Sequence, residues 1–438
     1  MRLFVRTCCG LGAMAVAVCG SVWAQEDTGG SSVPAPAPDK IAEARELVDA
    51  LAHRDPNIRQ AAASAIQGLD NEPLMAAVGA LVGVIERGDE PYAIVAGSAL
   101  IEIDLSAAAR KPVQEALVQS LYDRMESGSL SPRRWAIAAQ LIRTFASETA
   151  VDHIEIWAEG LRSPDEFRTY EAVTIIEFVT SRNAAENRQA AMERIDARPK
   201  SERTKAEANV RSALQAANAR RQKFLDARAM FEPALMNVLH QPRIRFTEVE
   251  LDASVIPVGL TGYIRRNSEV NRLLVLRTLI DLETDPVLLT ASLSRAMDTA
   301  NQYAAVEAAT LIGILPGESA AVHSLQQEAV ARLVQLAGLP GGRVRGVAAG
   351  EIGGLGNAAI PVLPQLIAML RDSDADVRTG AARSLGNLGP KANIAIPALR
   401  EAIKVEGLVS KLNVAIMEDA LKAIDPAEKK TDTQDETL

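Results

Sequence analysis

The chain has four histidines, and their spacing does not build a metal site. None lies four residues from another His or from a Glu, the spacing that puts two ligands on one face of a helix. They are His53, His153, His240 and His323. The sequence therefore predicts no bound metal and no other cofactor.

The sequence also gives no support for a catalytic nucleophile or a phosphate-binding loop. All three cysteines precede Gly20, and no Gly-x-Ser-x-Gly elbow occurs. The glycine-rich run Gly350–Gly356 lacks the Lys-Ser/Thr of a P-loop and falls on a helical pattern, where its glycines would ease close packing and end the helix. We therefore predict a non-catalytic protein.

The first residues have the pattern of an export signal. Arg2 and Arg6 precede an apolar run, and Val22 and Ala24 are small residues at the positions a signal peptidase reads. Residues 1–24 are thus predicted to be a signal peptide, with a periplasmic or secreted mature chain. Lipid anchoring at Cys19 is an alternative. Residues 25–39 are predicted to be a flexible Pro/Gly/Ser linker, and residues 426–438 a disordered tail. No later apolar stretch is expected to span a membrane, which needs roughly 20 residues.

The body of the chain repeats one helical pattern. Val377, Ala381, Leu385 and Leu388 form an apolar stripe at helical spacing, beginning where aspartates can cap a helix. The same pattern of small residues followed by apolar residues recurs at other reference positions, separated by 34, 42, 33, 104, 33, 40 and 33 residues. These positions are Arg59, Ala93, Trp135, Arg168, Arg272, Ala305, Arg345 and Arg378. Such a period, with two helices per unit, is typical of a solenoid.

At these residues the chain resembles a known family. Asp374-x-Asp-Val-Arg378-x-x-Ala-Ala-x-x-Leu-Gly resembles the second helix of HEAT repeats, in particular the short bacterial class named after phycobilisome lyases. Asp55-Pro-Asn-Ile-Arg59 matches it nearly as well. The resemblance implies that Asp55, Arg59, Asp374 and Arg378 have a structural role in linking neighbouring repeats.

The resemblance also raises two enzyme classes. One attaches bilin pigments to proteins, and a lyase-like activity on a protein-bound chromophore stays as the alternative function. The other comprises HEAT-like deoxyhypusine hydroxylases, whose repeated His-Glu pairs bind iron. This chain has no His-Glu dipeptide, so the second class is excluded.

The predicted fold is all-α, a right-handed α-solenoid of about nine HEAT-like helix pairs with a polar helical insert. Repeats are expected at residues 40–181 and 254–425, with a basic helical insert at 182–232 and an irregular connector at 233–253 that includes a short strand. Residues 182–228 contain twelve basic and six acidic residues. Their net charge of about +6 leaves about −15 for the rest of a chain whose formal charge is −9.

A solenoid without catalytic residues is expected to bind a partner. We predict a scaffold for protein–protein interaction whose partner is a protein or an extended peptide, and the basic insert suggests an acidic partner. The acidic pI near 5.3 argues against nucleic acid, and the scarcity of aromatic residues argues against polysaccharide. A solvated helix folded against the solenoid is the alternative interpretation of the insert. The candidate contacts are Arg198, Lys200, Arg203, Arg220, Arg221 and Lys223.

Overall fold

A computed structural model describes most of the predicted repeat region. The described residues are 40–51, 53, 55–87, 96–97, 111–199, 204–241, 268–316, 319–340, 344–407 and 410–425. The predicted signal peptide, linker, short strand and C-terminal tail lie outside them. Those predictions stay predictions.

The described residues form helices joined by short turns. The helices before the insert are α1 Lys40–Ala50, α2 Pro56–Gln67, α3 Asn71–Arg87, α4 Lys111–Glu126, α5 Pro132–Phe145, α6 Ile154–Arg162 and α7 Glu166–Thr180. Those of the middle region are α8 Arg182–Asp196, α9 Lys205–Asp226, α10 Arg228–His240 and α11 Ser268–Asp281. The C-terminal helices are α12 Pro286–Met297, α13 Gln302–Gly313, α14 Ala320–Ala337, α15 Val344–Glu351, α16 Leu363–Met369, α17 Ala375–Leu388, α18 Ile396–Glu406 and α19 Lys411–Ile424. Three 3-10 segments occupy Ser147–Asp152, Ile352–Val362 and Gly389–Ala395. No strand occurs among these residues, and the all-α prediction is confirmed.

Caps and prolines set where many of these helices begin. Asp55 and Ser131 are N-caps whose side chains accept backbone N–H groups, and each is followed by proline at the first turn. Proline is well placed there because its missing N–H has no helical partner to lose. Asp374 caps α17 by accepting the N–H of Asp376.

Successive helices pair, and the pairs stack in two layers. Each pair has a first and a second helix in chain order. The first helices of adjacent pairs contact each other: α1 contacts α3, α6 contacts α10 and α12 contacts α14. Second helices form a continuous series, α5 on α7, α7 on α11, α11 on α13, α13 on α15, α15 on α17 and α17 on α19. The described residues contain eight complete pairs, and α3 begins a further one. The predicted solenoid of about nine pairs is confirmed as an architecture, while its handedness stays a prediction.

The polar insert leaves the stack intact. Helices α8 and α9 pack on each other as a hairpin, while α7 contacts α11 directly, so one pair follows the other across the insert. The hairpin ends at Asp226, because α10 already packs on α6 and α11 as a first helix. The insert is thus shorter than the predicted 182–232, and the predicted irregular connector is helical as far as His240.

Two kinds of core packing hold the layers together. Before the insert the core contains large aromatic side chains, with the rings of Trp135 and Trp157 edge to face at 5.9 Å. In the C-terminal pairs the second helices approach so closely that a Cβ on Gly353 would overlap the backbone carbonyl oxygen of Ser384. Ser384 itself is fully buried, donating to the oxygen of Ala349 (2.6 Å) and accepting the N–H of Gly353 (2.8 Å).

One described segment, Val344–Met369, has the length and apolar composition of a membrane span, contrary to the expectation from sequence. In the structure it is not one regular helix. Gly356 takes φ 57° and ψ −124° within it, and Pro361 lies in the 3-10 segment between α15 and α16. Its parts pack against α14 and α17 as elements of the stack.

Candidate partner-binding surfaces

The second helices share one face that is not used for core packing. Counted from the N-cap, equivalent positions on successive helices carry exposed or partly exposed side chains, and we call this set the second-helix surface. It includes Arg133, Phe167, Phe178, Tyr303, Glu307, Thr310, Val347, Asp376 and Arg383. Phe178 is 50% exposed and Tyr303 57% exposed. Exposed aromatic side chains of this kind are enriched at sites of protein recognition.

Side chains of neighbouring second helices meet on this surface, which shows that the positions are adjacent. The Arg133 guanidinium lies 5.5 Å from the ring centroid of Phe167. Farther along, Arg277 Nη2 lies 2.6 Å from Glu307 Oε1. Thr310 Oγ1 lies 3.2 Å from a carboxylate oxygen of Glu351. Charged, polar and apolar groups therefore alternate along a continuous face.

The hairpin is fixed at its base by arginines. Arg221 donates to the backbone oxygens of Thr180 (2.8 Å) and Asp281 (3.3 Å) and to the Glu283 carboxylate (3.2 Å). Just after the hairpin, Arg228 at the start of α10 donates to the backbone oxygen of Glu283 at 3.0 Å. The bonds of Arg221 join α9 to the C-terminal ends of α7 and α11. Arg221 is thus occupied in anchoring the hairpin.

Asp281 is the buried acid at this base. Its side chain is nearly inaccessible and accepts the backbone N–H of Arg182 at 3.2 Å. Burial raises the pKa of Asp281 to about 6, although the Arg182 N–H bond and the charges of Arg277 and Arg221 oppose the shift. The folded state therefore favours the protonated carboxyl more than an unfolded chain does.

The far end of the hairpin is exposed and held by internal ion pairs. Thr204 and Glu207 form a capping box at the start of α9, and Arg198 Nη1 lies 2.6 Å from Glu207 Oε1. Arg211 makes a two-pronged contact with Asp196, at 2.9 and 3.1 Å. The base of the hairpin therefore packs on the solenoid, and its tip extends away from it.

The four predicted contact residues that the structure describes do not form one patch. Arg221 lies at the base, Arg198 is paired at the tip, and Lys223 Nζ lies 3.8 Å from Asp152 Oδ1. Arg220 lies near Arg188, whose pKa is lowered by burial and by the charges of Arg221 and Arg220. Lys200 and Arg203 lie outside the described residues. Their role in binding stays a prediction.

Arginines at the reference position join consecutive pairs in the C-terminal region. Arg378 on α17 donates from Nε (2.9 Å) and Nη2 (2.6 Å) to the carboxylate of Glu406, the last residue of α18. Glu406 is fully buried and also accepts from Asn413 at 2.7 Å. Burial alone would raise its pKa, but the hydrogen bonds from Asn413 and Arg378 lower it overall.

The preceding junction has the same form. Arg345 on α15 donates to Asp372 Oδ2 at 2.6 Å, and its Nη1 lies 3.8 Å from Asp374 Oδ2. We call this arrangement, with an arginine bonded to a carboxylate of the next pair, a closed junction. Asp374 and Arg378 thus lie in links between pairs. At the other end of the chain Asp55 caps α2, and Arg59 donates to the His53 oxygen within its own pair.

Sequence reasoning missed Glu406 and Ser384. Glu406 follows the apolar residues of α18 as an ordinary last-turn acid, and only its distance of 28 residues from Arg378 could have suggested the pair. Ser384 looks like a solvated position inside an alanine-rich helix. Its burial depends on the glycines of the neighbouring second helix. The apolar stripe does not predict that these glycines lie against Ser384.

The described surface includes the following two clefts. One, of about 410 Å³, lies between the α6–α7 turn and α10 and is lined by Arg162, Glu166 and Asn237, among others. The second, of about 330 Å³, lies between α11 and the α12–α13 turn. No group of His, Cys, Asp and Glu among the described residues could hold a metal ion.

These contacts define an α-solenoid of stacked helix pairs. The family model of HEAT repeats matches residues 330–407, the region of both closed junctions. The chain therefore contains HEAT repeats at these residues, within a solenoid of stacked helix pairs. No curated protein matches it.

Solved structures of similar shape include an engineered protein, at 17% identity and TM-score 0.38, covering 87% of this chain and 98% of that one. They also include Kap121p bound to Pho4p, at 14% identity and TM-score 0.40. Kap121p bound to Ste12p is similar at 13% identity and TM-score 0.42. In both, the alignment covers 91% of this chain and 39% of Kap121p, so the chain spans about two fifths of that protein.

Proposed function

We propose that the chain is an exported, non-catalytic scaffold that binds a protein or an extended peptide on its second-helix surface. The observation that carries this proposal is the unbroken stack of second helices from α5 to α19, which passes the insert and presents exposed aromatic and charged side chains along one face. Extended binding surfaces of this type are the usual use of helical repeats.

The chemistry of the surface fits a peptide better than a small substrate. Arg133 with Phe167 and Arg277 with Glu307 offer charge and ring faces at intervals of one helix pair. An extended chain can contact several such intervals at once, whereas a single small molecule contacts one. Recognition is therefore expected to be spread over several pairs.

Export is supported by the sequence of residues 1–24. It is tested by expressing the full chain in a Gram-negative host and determining the N-terminus of the protein in the periplasmic fraction. A start at Gln25 supports export with cleavage after Ala24. An uncleaved cytoplasmic chain contradicts it, and a lipid-modified Cys19 supports the anchored alternative.

Partner binding is tested by crosslinking in cells followed by mass spectrometry. The full chain is compared with a shortened hairpin that joins Gln189 to Ala217 by a Gly/Ser linker and so keeps the bond between Arg188 and Asn218 (2.7 Å) and the anchor at Arg221. Tyr303→Ser on α13 is compared with Leu288→Ser on α12, since the two side chains are 57% and 53% exposed.

The proposal expects the same crosslinked protein from the full chain, the shortened hairpin and Leu288→Ser, and much less of it from Tyr303→Ser. Loss of the partner from the shortened hairpin alone would place recognition at the hairpin tip. Equal capture by all four chains, or no specific partner, would contradict binding on the second-helix surface.

A further inference from the structure

One junction of the stack has the arginine of the two closed junctions but lacks their carboxylate. Arg272 has the place on α11 that Arg345 has on α15. It donates to the oxygens of Leu239 (2.6 Å) and Gln241 (3.3 Å) at the end of the preceding first helix, as Arg345 donates to Ala337 (3.0 Å). In the part of the chain that the structure describes, no carboxylate pairs with Arg272.

Thr299 explains why Arg272 has no carboxylate partner from the next pair. Asp372 lies two residues before the N-cap Asp374 and accepts its backbone N–H on Oδ1 at 2.8 Å, which leaves Oδ2 for Arg345. Thr299 lies two residues before the N-cap Asn301 and accepts its N–H on Oγ1 at 3.2 Å. The two residues are equivalent in position and in their first hydrogen bond. Threonine has a single, uncharged side-chain oxygen, so it supplies neither a second acceptor oxygen nor the negative charge that Asp372 offers to Arg345.

A cleft of about 330 Å³ opens at this place, which we call the open junction. It is lined by Arg272, Arg295, Asp298, Thr299 and Ala304, with Leu273, Ala296 and Ala300. The volume is at the lower end of the range for ligand sites. Among the described residues Arg295 has no hydrogen-bonded or ionic partner, and Asp298 forms no ion pair with either arginine.

The two arginines act on each other. Burial, and then the charge of Arg295, lower the pKa of Arg272. An unneutralised pair of guanidinium groups at the edge of a cleft creates a positive potential that attracts an anion. Arginine is suited to this role because its fork of N–H donors matches the two oxygens of a carboxylate.

We propose that the open junction binds a carboxylate side chain of an extended acidic peptide, in the place that Asp372 fills at a closed junction. The inference rests on the proposed function and names the chemistry of the partner. A carboxylate is favoured over a phosphate because the chain itself satisfies the equivalent arginines with Asp372 and Glu406. Because the cleft has a net positive charge, we expect the bound segment to be acidic.

The test measures fluorescence anisotropy of a labelled peptide added to the mature chain at low salt. The peptide alternates Gly and Ser and carries three Glu residues, and a second peptide carries Gln in their place. Binding of the Glu peptide at least tenfold tighter than the Gln peptide is expected, the effect of losing a charge-assisted hydrogen bond. Equal binding of the two peptides would overturn the proposal.

Two variants locate the site. Arg295→Gln removes an exposed charge without touching the bonds of Arg272, and about tenfold weaker binding is expected. Arg371→Gln removes the same charge from an arginine that is 70% exposed on its side chain, and no change is expected. Thr299→Asp supplies the missing carboxylate within the chain and should abolish binding of the Glu peptide. Unchanged binding in both Arg295→Gln and Thr299→Asp would place the peptide elsewhere and refute the proposal.

Inorganic phosphate serves as the competing anion. Displacement of the Glu peptide only by phosphate far above the peptide concentration supports a carboxylate site. Binding of phosphate that Thr299→Asp blocks, with no binding of the Glu peptide, would contradict it. If the variants leave the peptide unaffected while the crosslinked partner still depends on Tyr303, the open junction is refuted and the scaffold function stands. The reverse pattern would refute binding on the second-helix surface and leave the open junction standing.

Discussion

The closed junctions have a carboxylate of the next pair where the open junction has Thr299, and the comparison shows how arginines join neighbouring pairs. At the closed junctions Arg345 and Arg378 each reach a carboxylate of the next pair, and the second helices α15, α17 and α19 pack closely. At the open junction Arg272 keeps its bonds to carbonyl groups, but the next pair offers Thr299. The ion pair and the close packing of second helices therefore occur together, at the closed junctions.

The largest effect is expected from breaking a closed junction. Arg378→Met leaves the fully buried Glu406 carboxylate with Asn413 as its remaining partner among the described residues. Removing one member of a buried pair costs about 3–5 kcal/mol of unfolding free energy. Urea denaturation at pH 7 measures it. Arg272→Met at the open junction is the comparison and should cost only about 1–2 kcal/mol, the value of two hydrogen bonds to carbonyl groups. Equal losses at both positions would erase the distinction.

The open side has its own pH dependence through Asp281 at the end of α11. Its pKa is raised to about 6, from an ordinary value of 3.8, mainly by burial. The folded chain therefore binds the proton more tightly, and its stability falls as pH rises from about 4 to about 6 and stays reduced above that. The cost at pH 7 is at most about 3 kcal/mol.

Asp281→Asn keeps an acceptor for the Arg182 N–H and removes the titration. We expect it to be more stable than the unchanged chain at pH 7, by up to that amount, and of similar stability at pH 4. Melting temperatures of both chains across this range test it. A variant less stable than the unchanged chain at pH 7 would show that the charge of Asp281 stabilises the hairpin base.

The glycine contact of the closed side should be sensitive to a single methyl group. Gly353→Ala would push a Cβ into the Ser384 carbonyl, with a cost of about 2 kcal/mol. Gly354→Ala is the matched control, since no atom of another residue lies within 4 Å of the position that its Cβ would occupy. It should leave stability unchanged or raise it by up to about 1 kcal/mol, because alanine is favoured over glycine in a helix. Similar losses from both would mean that helix flexibility, not close approach, sets the effect.

The smallest effect is a gain. Thr299→Asp should close the open junction by pairing with Arg272 and raise the unfolding free energy by about 0.5–1 kcal/mol, as partly exposed ion pairs do. The gain should disappear when Arg272 is also changed to Met. A gain that persists in the double variant would arise from the helix cap of α13 instead.

Much of the fold follows from the sequence because it depends on short-range patterns. The stripe of Val377, Leu385 and Leu388 predicts a buried helix face, and Asp55-Pro and Ser131-Pro predict helix starts that the structure confirms. Small residues at fixed positions predict close helix pairs. Each of these signals lies within one helix or one turn.

The candidate sites were less predictable because they depend on contacts across pairs. Counting charge marks Arg221 as a basic surface residue, yet its guanidinium reaches carbonyl groups 41 and 60 residues away. The equivalence of Thr299 and Asp372 was available in principle, since each precedes its N-cap by two residues. The importance of this equivalence becomes clear only from the three-dimensional structure, which shows that Asp372 accepts a hydrogen bond from the arginine of the preceding pair.

The most direct test compares the crosslinked partner captured in cells by the unchanged chain, by Thr299→Asp and by Arg371→Gln. We predict that Thr299→Asp loses most of the partner while folding at least as stably as the unchanged chain, and that Arg371→Gln keeps it. Full capture of the partner by Thr299→Asp would contradict the claim that the open junction takes the carboxylate that the closed junctions supply for themselves.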